Sequence, residues 1–363
     1  MRNVRSLLSF LPVCAAIVLF VAMSLRLYAG PPGDGWELVF HDEFNGPRLN
    51  WDVWMCETGD RRNAYNDPDD SYLDGRGHLV LRVRKVDGKY HLGFIRTKQE
   101  YQWGYYEART NLDVVPGYWS AFWLWGRQSY NPNYDGAEVD ILEDPYRDEI
   151  VEHNIHQGQN NTHKHEGARI AVKGSRTDWH LFACDWHEEG FDFLVDGQET
   201  WITRTMKASK PNWIYLTLEA KNDGWAGDIR QSDLHLPAYW TVDYVRYYRR
   251  NPQAPAISLS QPEPIFQGKE DGKTIQAALR NGKFVERLNP RSWSVENLPA
   301  GVTLAVVERV DDTRVNLKLK GNAEAGPRAA DITDVTVIAE AGEVANSSAL
   351  LIASRGIKLD GKR

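Results

Sequence analysis

From Trp36 to Arg250 the chain reads as one strand after another, with little helical periodicity. "HLVLRVRKV" (His78–Val86), "WGYYEARTNL" (Trp103–Leu112), "YWSAFWLW" (Tyr118–Trp125) and "TVDYVRYYRR" (Thr241–Arg250) all carry strand patterns. Gly, Asn, Asp and Pro punctuate the gaps between them, as turns require. "FDFLVDGQETWI" (Phe191–Ile202) sets Asp196-Gly197 between two alternating runs, the signature of a tight hairpin. A chain built this way can bury its apolar faces only by closing sheets on each other, so the reading is all-β, a sandwich or barrel over residues 35–250.

Composition marks where that unit ends. Of 14 tryptophans, 13 lie between Trp36 and Trp240, and no tyrosine follows Tyr248. The Pro-punctuated stretch 251–256 then reads as a linker. Beyond it, "SWSVENLP" (Ser292–Pro299), "GVTLAVVERV" (Gly301–Val310), "RVNLKLKG" (Arg314–Gly321) and "DVTVIAE" (Asp334–Glu340) predict a small immunoglobulin-like β-sandwich over 257–363, with an accessory role. A charge balance of 43 basic against 50 acidic side chains gives no basic footprint, which argues against nucleic acid as a partner.

At the N-terminus, Arg2 and Arg5 precede an uncharged run from Ser6 to Leu25, followed by "RLYAG" (Arg26–Gly30). This predicts a signal peptide or a membrane anchor over 1–29, and hence a secreted or extracytoplasmic protein. Export would leave Cys56 and Cys184 free to pair, and two buried thiols are the equal alternative.

The chemistry concentrates in "GAEVDILEDP" (Gly136–Pro145). Period-2 alternation puts Glu138 and Asp140 on one strand face and Glu143 on the other. An E-x-D-x-x-E spacing arises by chance in roughly one chain in ten of this length, so in isolation a solvated strand face is the better explanation. Its neighbour changes that. In "GYWSAFWLWG", Trp119, Trp123 and Trp125 share one parity, while Tyr118, Phe122 and Leu124 supply the other. A strand apolar on both faces fits one face in the core and one in a groove. Two carboxylates over a groove are what hydrolysis of a glycosidic bond needs, one ionised and one protonated. A one-residue β-bulge between Asp140 and Glu143 would return the third acid to the face of the other two. Crowding would then raise at least one pKa.

Taken together these segments resemble glycoside hydrolase family 16, the β-jelly-roll endo-glycanases. "LVFHDEFNG" (Leu38–Gly46) resembles the family's opening strand; "GFIRTK" (Gly93–Lys98) and "WGYYEAR" (Trp103–Arg109) resemble the next segments. "GYWSAFWLWG" resembles the aromatic strand, "GAEVDILE" the catalytic strand and "VDYVRYY" (Val242–Tyr248) the closing strand. The resemblance implies a jelly-roll sandwich with a concave substrate cleft. It implies Glu138 as nucleophile, Glu143 as general acid/base and Asp140 hydrogen-bonded to the nucleophile. Substrate contact would come from Arg96, Trp119, Trp123, Trp125, Asn154, His156 and Trp225. Asp243 matches a position that helps hold a structural calcium in some members; no cofactor is required. The chain departs from many laminarinases in reading "YWSAFW" and "NYDGAE" where they carry a Trp-Pro pair and a further tryptophan.

The expected activity is therefore a secreted, monomeric, retaining endo-hydrolase of a β-linked polysaccharide, foremost a β-1,3-glucan. A galactan hydrolase, a transglycosylase and a non-catalytic glycan-binding protein are the alternatives. "GQNNTHKHEGAR" (Gly158–Arg169) reads as a solvated loop whose His163, Lys164, His165 and Arg169 could instead meet an anionic sugar. A zinc site among His153, His156, His163 and His165 is disfavoured, because His153 and His156 would face opposite sides of a strand and no cysteine joins them.

Overall fold

Alternating apolar residues in the first unit pair into two sheets that close over a common core. The computed structural model describes residues 30–361, apart from 33–34, 113–114, 146–148, 223, 325–330, 348–349 and 354–355. The expected export or anchor segment, 1–29, lies outside the described residues. Among the described residues no helix is long and apolar enough to cross a membrane, and the helical turns are four short 3₁₀ segments.

Seven strands form the sheet that carries the acids: β1 (Trp54–Met55), β2 (Phe94–Thr97), β3 (Trp119–Trp125), β4 (Glu138–Glu143), β5 (Ile150–Gln157), β6 (Lys164–Ala171) and β7 (Trp213–Glu219). Their spatial order is β6-β5-β4-β3-β7-β2-β1. An eleven-stranded sheet covers one face of it, with Gly104–Asn111, His180–His187 and Ala238–Arg250 near its middle. The predicted hairpin is there: Gly190–Val195 and Gln198–Thr203 turn at Asp196 and Gly197, both with positive φ, as a two-residue hairpin turn demands.

The core fills the space between the sheets. Phe122 and Leu124 of β3, Val139, Ile141 and Leu142 of β4, and Ile214, Leu216 and Leu218 of β7 meet Tyr106, Phe182, Trp186, Phe193, Trp240 and Val245. All of these are fully or almost fully buried. The opposite parity of β3 packs separately on the other face of the seven-stranded sheet: Trp119, Ala121 and Trp123 cluster with Phe94, Trp213 and Tyr215. One face of the tryptophan strand thus packs into the main core and the other into a second aromatic cluster.

The tail forms two further sheets, one of four strands and one of five, around their own core of Ile275, Trp293, Leu317, Val337 and Leu359. It contacts the eleven-stranded sheet through Glu296, 3.6 Å from the fully buried Arg246.

Cys184 lies in the core between the sheets, whereas Cys56 packs against the aromatic cluster on the far side of the seven-stranded sheet, so both are free thiols. Burial pushes the Cys56 thiol up to about 11 and that of Cys184 well above its ordinary value, which leaves both inert at neutral pH. A chain lacking residues 1–29 should titrate both thiols when denatured without reductant. Its melting temperature should not respond to reductant, whereas loss of a real disulfide would cost about 2–5 kcal/mol.

Candidate active site

The site begins with a register change. Asp140 pairs with Asn154 and Glu143 with Glu152, so three residues of β4 span two of β5. The same slip appears against β3, where Asp140 faces Trp123 and Leu142 faces Phe122. The extra residue is Ile141, buried in the core beside Leu142. A bulge of this kind shifts the side-chain parity by one, and Glu143 joins Glu138 and Asp140 on the face away from the core. The expected bulge is present at the expected place.

A bulge leaves backbone groups without ladder partners, and a buried orphan costs about 1–3 kcal/mol. Here the Ile141 carbonyl accepts from His153 Nδ1 at 2.7 Å. The other ring nitrogen then accepts from the Thr200 hydroxyl of the opposite sheet at 3.0 Å. Burial lowers the His153 pKa to about 4, so the ring is neutral and donates only once. The ring stacks on Phe193. Sequence reading placed His153 on the face opposite His156, which is correct, but gave no hint that it braces the bulge.

Each acid then acquires its own surroundings. Glu138 accepts from the Tyr130 hydroxyl, and Arg62 and Arg61 bear on it. Glu143 accepts from Trp119 Nε1 at 3.0 Å and from Asn154 Nδ2 at 2.9 Å. His165 Nε2 donates to Asn154 Oδ1 at 2.9 Å and holds that amide in place. Asp140 is 3% exposed, and its Oδ2 lies 3.4 Å from His156 Nε2 without a hydrogen-bond partner. Tyr130 supplies a nucleophile-side contact, and carboxylate oxygens of Glu138 and Asp140 lie within 4.8 Å of each other.

The electrostatics follow from crowding under low solvation. Burial first, then the Glu138 charge, push Glu143 up to about 8 against the pull of its Asn154 and Trp119 donors. Burial and the two flanking glutamates raise Asp140 well above the carboxylate range. Burial raises Glu138 too, opposed by Tyr130 and the two arginines. His156 is lowered to about 3 by burial and by His165 and His163, so it is neutral at physiological pH.

A pocket of about 340 Å³ lies over these groups, lined by Glu138, Glu143, Asn154, His156, Trp119, Trp225, Arg62 and Lys221 among others. Of the expected substrate contacts, Trp119, Asn154, His156 and Trp225 therefore reach it. Three do not. Trp123 is 8% exposed, stacks on Tyr215 at 4.3 Å and spends its indole N–H on Thr217. Trp125 sits against Trp213, outside the pocket. Arg96 pairs with Glu57 at 2.6 Å over the Trp213 ring. Lys164–Ala171 forms strand β6 at the sheet edge rather than the expected loop, because its alternating pattern pairs with β5. Asp243, matched to a calcium position in some members, accepts from Arg109 at 2.5 Å.

Among the described residues, two groups could gather a metal: Asp67–Asp70–His91 and Glu138–Asp140–His156. In the first, Asp70 already accepts from Arg82 and Arg84. The second coincides with the catalytic candidates.

The family model described as Glycosyl hydrolases family 16 matches residues 59–245. The chain belongs to this family. As a family 16 glycosidase it hydrolyses O-glycosyl bonds. It is 26% identical over 246 residues to a β-glucanase of Rhodothermus marinus, covering 59% of this chain and 85% of that one. The laminarinase of Flavobacterium sp. UMI-01 is 25% identical, with a TM-score of 0.50 over 59% of this chain and 100% of that one. The laminarinase catalytic domain of Thermotoga maritima MSB8, 21% identical with a TM-score of 0.53 over 60% and 99%, shares the fold.

Two outcomes test the geometry. Hydrolysis should fall as pH rises through about 8, where Glu143 loses its proton. Because that pKa is raised from 4.5, the associated stability is complete below 4.5 and lost toward 8. Denaturation midpoints should therefore decline less over that window in Glu143→Gln than in the parent. Separately, a Cβ on Gly167 would sit 2.1 Å from Asn154 Oδ1. Gly167→Ala should displace that amide from Glu143 and lower kcat about 10–100-fold with circular dichroism unchanged, since hydrogen bonds to charged groups contribute about 1.5–3 kcal/mol.

Proposed function

We propose that this family 16 enzyme is a retaining hydrolase of a β-glucan, with β-1,3-linked glucan as the first substrate to test. The reading rests on one observation above all: the bulge at Ile141 gathers Glu138, Asp140 and Glu143 on one face over an open pocket. The named activities of its relatives, β-glucanase and laminarinase, point to the same substrate class.

In this reading Glu138, beside Arg61 and Arg62 and bonded by Tyr130, is the ionised nucleophile. It attacks the anomeric carbon while Glu143 gives its proton to the departing glycosidic oxygen. A glycosyl-Glu138 ester results. Glu143, now ionised, takes a proton from water, whose oxygen attacks the same carbon, releases Glu138 and restores the original anomer. Asp140, protonated by its crowding, adds no third charge to the floor of the site. Asn154 and Trp119 orient the acid. Residues 1–29 act as an export segment, cleaved or retained as an anchor, and the enzyme works outside the cytoplasm as a monomer.

The test is a panel of β-1,3-glucan, mixed-linkage glucan, agar- and carrageenan-type galactans, assayed for reducing ends with the parent protein, Glu138→Gln and Glu143→Ala. Turnover should vanish in Glu138→Gln while glycan binding persists. Glu143→Ala should recover on aryl glycosides with good leaving groups, where protonation is unnecessary. A parent protein that binds these glycans but releases no reducing ends would instead be a glycan-binding protein of this fold.

A further inference from the structure

Three carboxylates converge where the first unit meets the tail, and one guanidinium lies among them. Arg246, fully buried, bonds Glu43 at 2.7 and 2.9 Å and stands 3.6 Å from Glu296 of the tail and 3.7 Å from Glu107. Glu43 has His41 Nδ1 at 3.3 Å as a second partner. Glu296 is 33% exposed at its side chain, and Arg109, itself bonded to Asp243, bears on it from a distance. Glu107 has no such relief. It sits on the strand Gly104–Asn111 with no exposed surface, and the Arg246 Nη1 that lies 3.7 Å away makes no hydrogen bond. Tyr105, Tyr244 and Tyr248, the other titratable groups around it, are raised by burial and stay neutral.

What Glu107 does hold is Gly30. The Gly30 N–H donates to both of its oxygens, at 2.9 and 3.2 Å, and the Tyr248 hydroxyl donates more distantly at 3.4 Å. One amide hydrogen shared between two oxygens compensates a carboxylate poorly in a dry interior, where an unpaired charge is far more costly than a neutral acid. Burial accordingly pushes Glu107 up to about 7, against the pull of Arg246 and of the Gly30 N–H. Gly30 and Pro31 are themselves buried, and the segment they begin is fixed in place. Asn251 N–H donates to the Gly35 carbonyl at 2.7 Å, and Trp36 pairs with Arg250. Beside Gly30 lies a cavity of about 40 Å³, lined by Pro31, Tyr248, Leu351 and Ala353 among others, which has room for a water-sized group.

The sequence puts this contact at a bond with an expected fate. "RLYAG" follows the uncharged run, and Ala29 is a small residue of the kind after which an export segment is cut. Hydrolysis there adds water across the Ala29–Gly30 amide. The hydroxyl goes to the Ala29 carbonyl carbon, and the Gly30 nitrogen takes the hydrogen and then a further proton. The donor to Glu107 thus changes from one neutral N–H to an ammonium with three, and the cluster gains a second cation. An α-amine is ordinarily protonated up to about 7.7–8.0, and a facing carboxylate holds its proton to higher pH. No rearrangement is needed, because the nitrogen already stands within ion-pair distance of both oxygens. Gly30 is buried in the folded protein, so the cut falls on the unfolded chain during export and the new terminus docks as the fold closes.

We propose that the mature chain begins at Gly30 and that its α-ammonium pairs with Glu107, completing the buried charge cluster that joins the first unit to the tail. This rests on the export reading of residues 1–29 and is independent of the sugar chemistry.

The test begins with the full chain, produced in a bacterium that exports it. The intact mass of the exported protein should correspond to residues 30–363. A terminus elsewhere, or a membrane-held chain of full length, overturns the proposal and leaves the export reading standing; a chain that is never exported defeats both. Cyanate then probes the amine of the exported protein, since only a neutral amine is carbamylated. Native Gly30 should react at least tenfold more slowly than Gly30 in denaturant, with its half-maximal rate at least about one pH unit above the ordinary 8. Equal rates in the two states, or a half-maximal pH at or below about 8, would show a terminus that does not pair. The exported Glu107→Gln variant keeps the shape of the side chain and removes its charge. Folded by circular dichroism, it should bring the half-maximal pH back to about 8 or below, and a value that stays raised would assign the partner elsewhere and sink the proposal. If this variant does not fold, the comparison of native and denatured parent decides alone.

Discussion

The chemistry of this protein depends on one surplus residue in a strand. Without Ile141 in its bulge, strict alternation would point Glu143 into the apolar space between the sheets, where an ionised carboxylate is far too costly and a neutral one serves no purpose. With it, Ile141 and Leu142 both enter the core and three acids share the other face. The fold thus converts a packing irregularity into a constellation. Everything downstream, from the crowding of charge to the pocket above it, presupposes that single change of register.

Burial raises the pKa of all three acids. What separates them is the placement of neutral and cationic partners. Arg61 and Arg62, in the hairpin of strands Gly59–Arg61 and Ala64–Asn66, and the Tyr130 hydroxyl bear on Glu138, while Glu143 accepts from two neutral donors and one Asp140 oxygen has no hydrogen-bond partner. In the proposed mechanism this difference leaves Glu138 as the charged carboxylate and Glu143 as the proton carrier of a double displacement. The guanidiniums that set this asymmetry also bury Trp123 and Phe94, so electrostatics and cleft shape are linked through the same two side chains.

Much of this was legible in the sequence because it is local. The Asp196-Gly197 hairpin, the division of the tryptophan strand between two faces, the bulge and the opposite facing of His153 and His156 follow from alternation and turn chemistry over a few residues. What was missed comes from far along the chain. Arg61 and Arg62 lie more than seventy residues before Glu138, in a stretch with no distinctive pattern, and only the fold brings them over β3 and β7. Trp123 and Arg96 sit on the strands and the face where they were expected, yet are covered by that hairpin and by Glu57. Tyr130 lies in the connection after β3, where nothing marks it as a partner for Glu138. Resemblance can locate such positions; it does not reveal what another segment lays on top of them.

The histidine behind the bulge carries one more implication. Because His153 links the Ile141 carbonyl to Thr200 on the far sheet, the catalytic strand is moored through the full thickness of the sandwich rather than only to its lateral neighbours. Substitutions on the outer surface near Thr200, remote from any sugar, therefore have a mechanical route to the spacing of the carboxylates. Variation that tunes this catalyst need not occur in the groove at all.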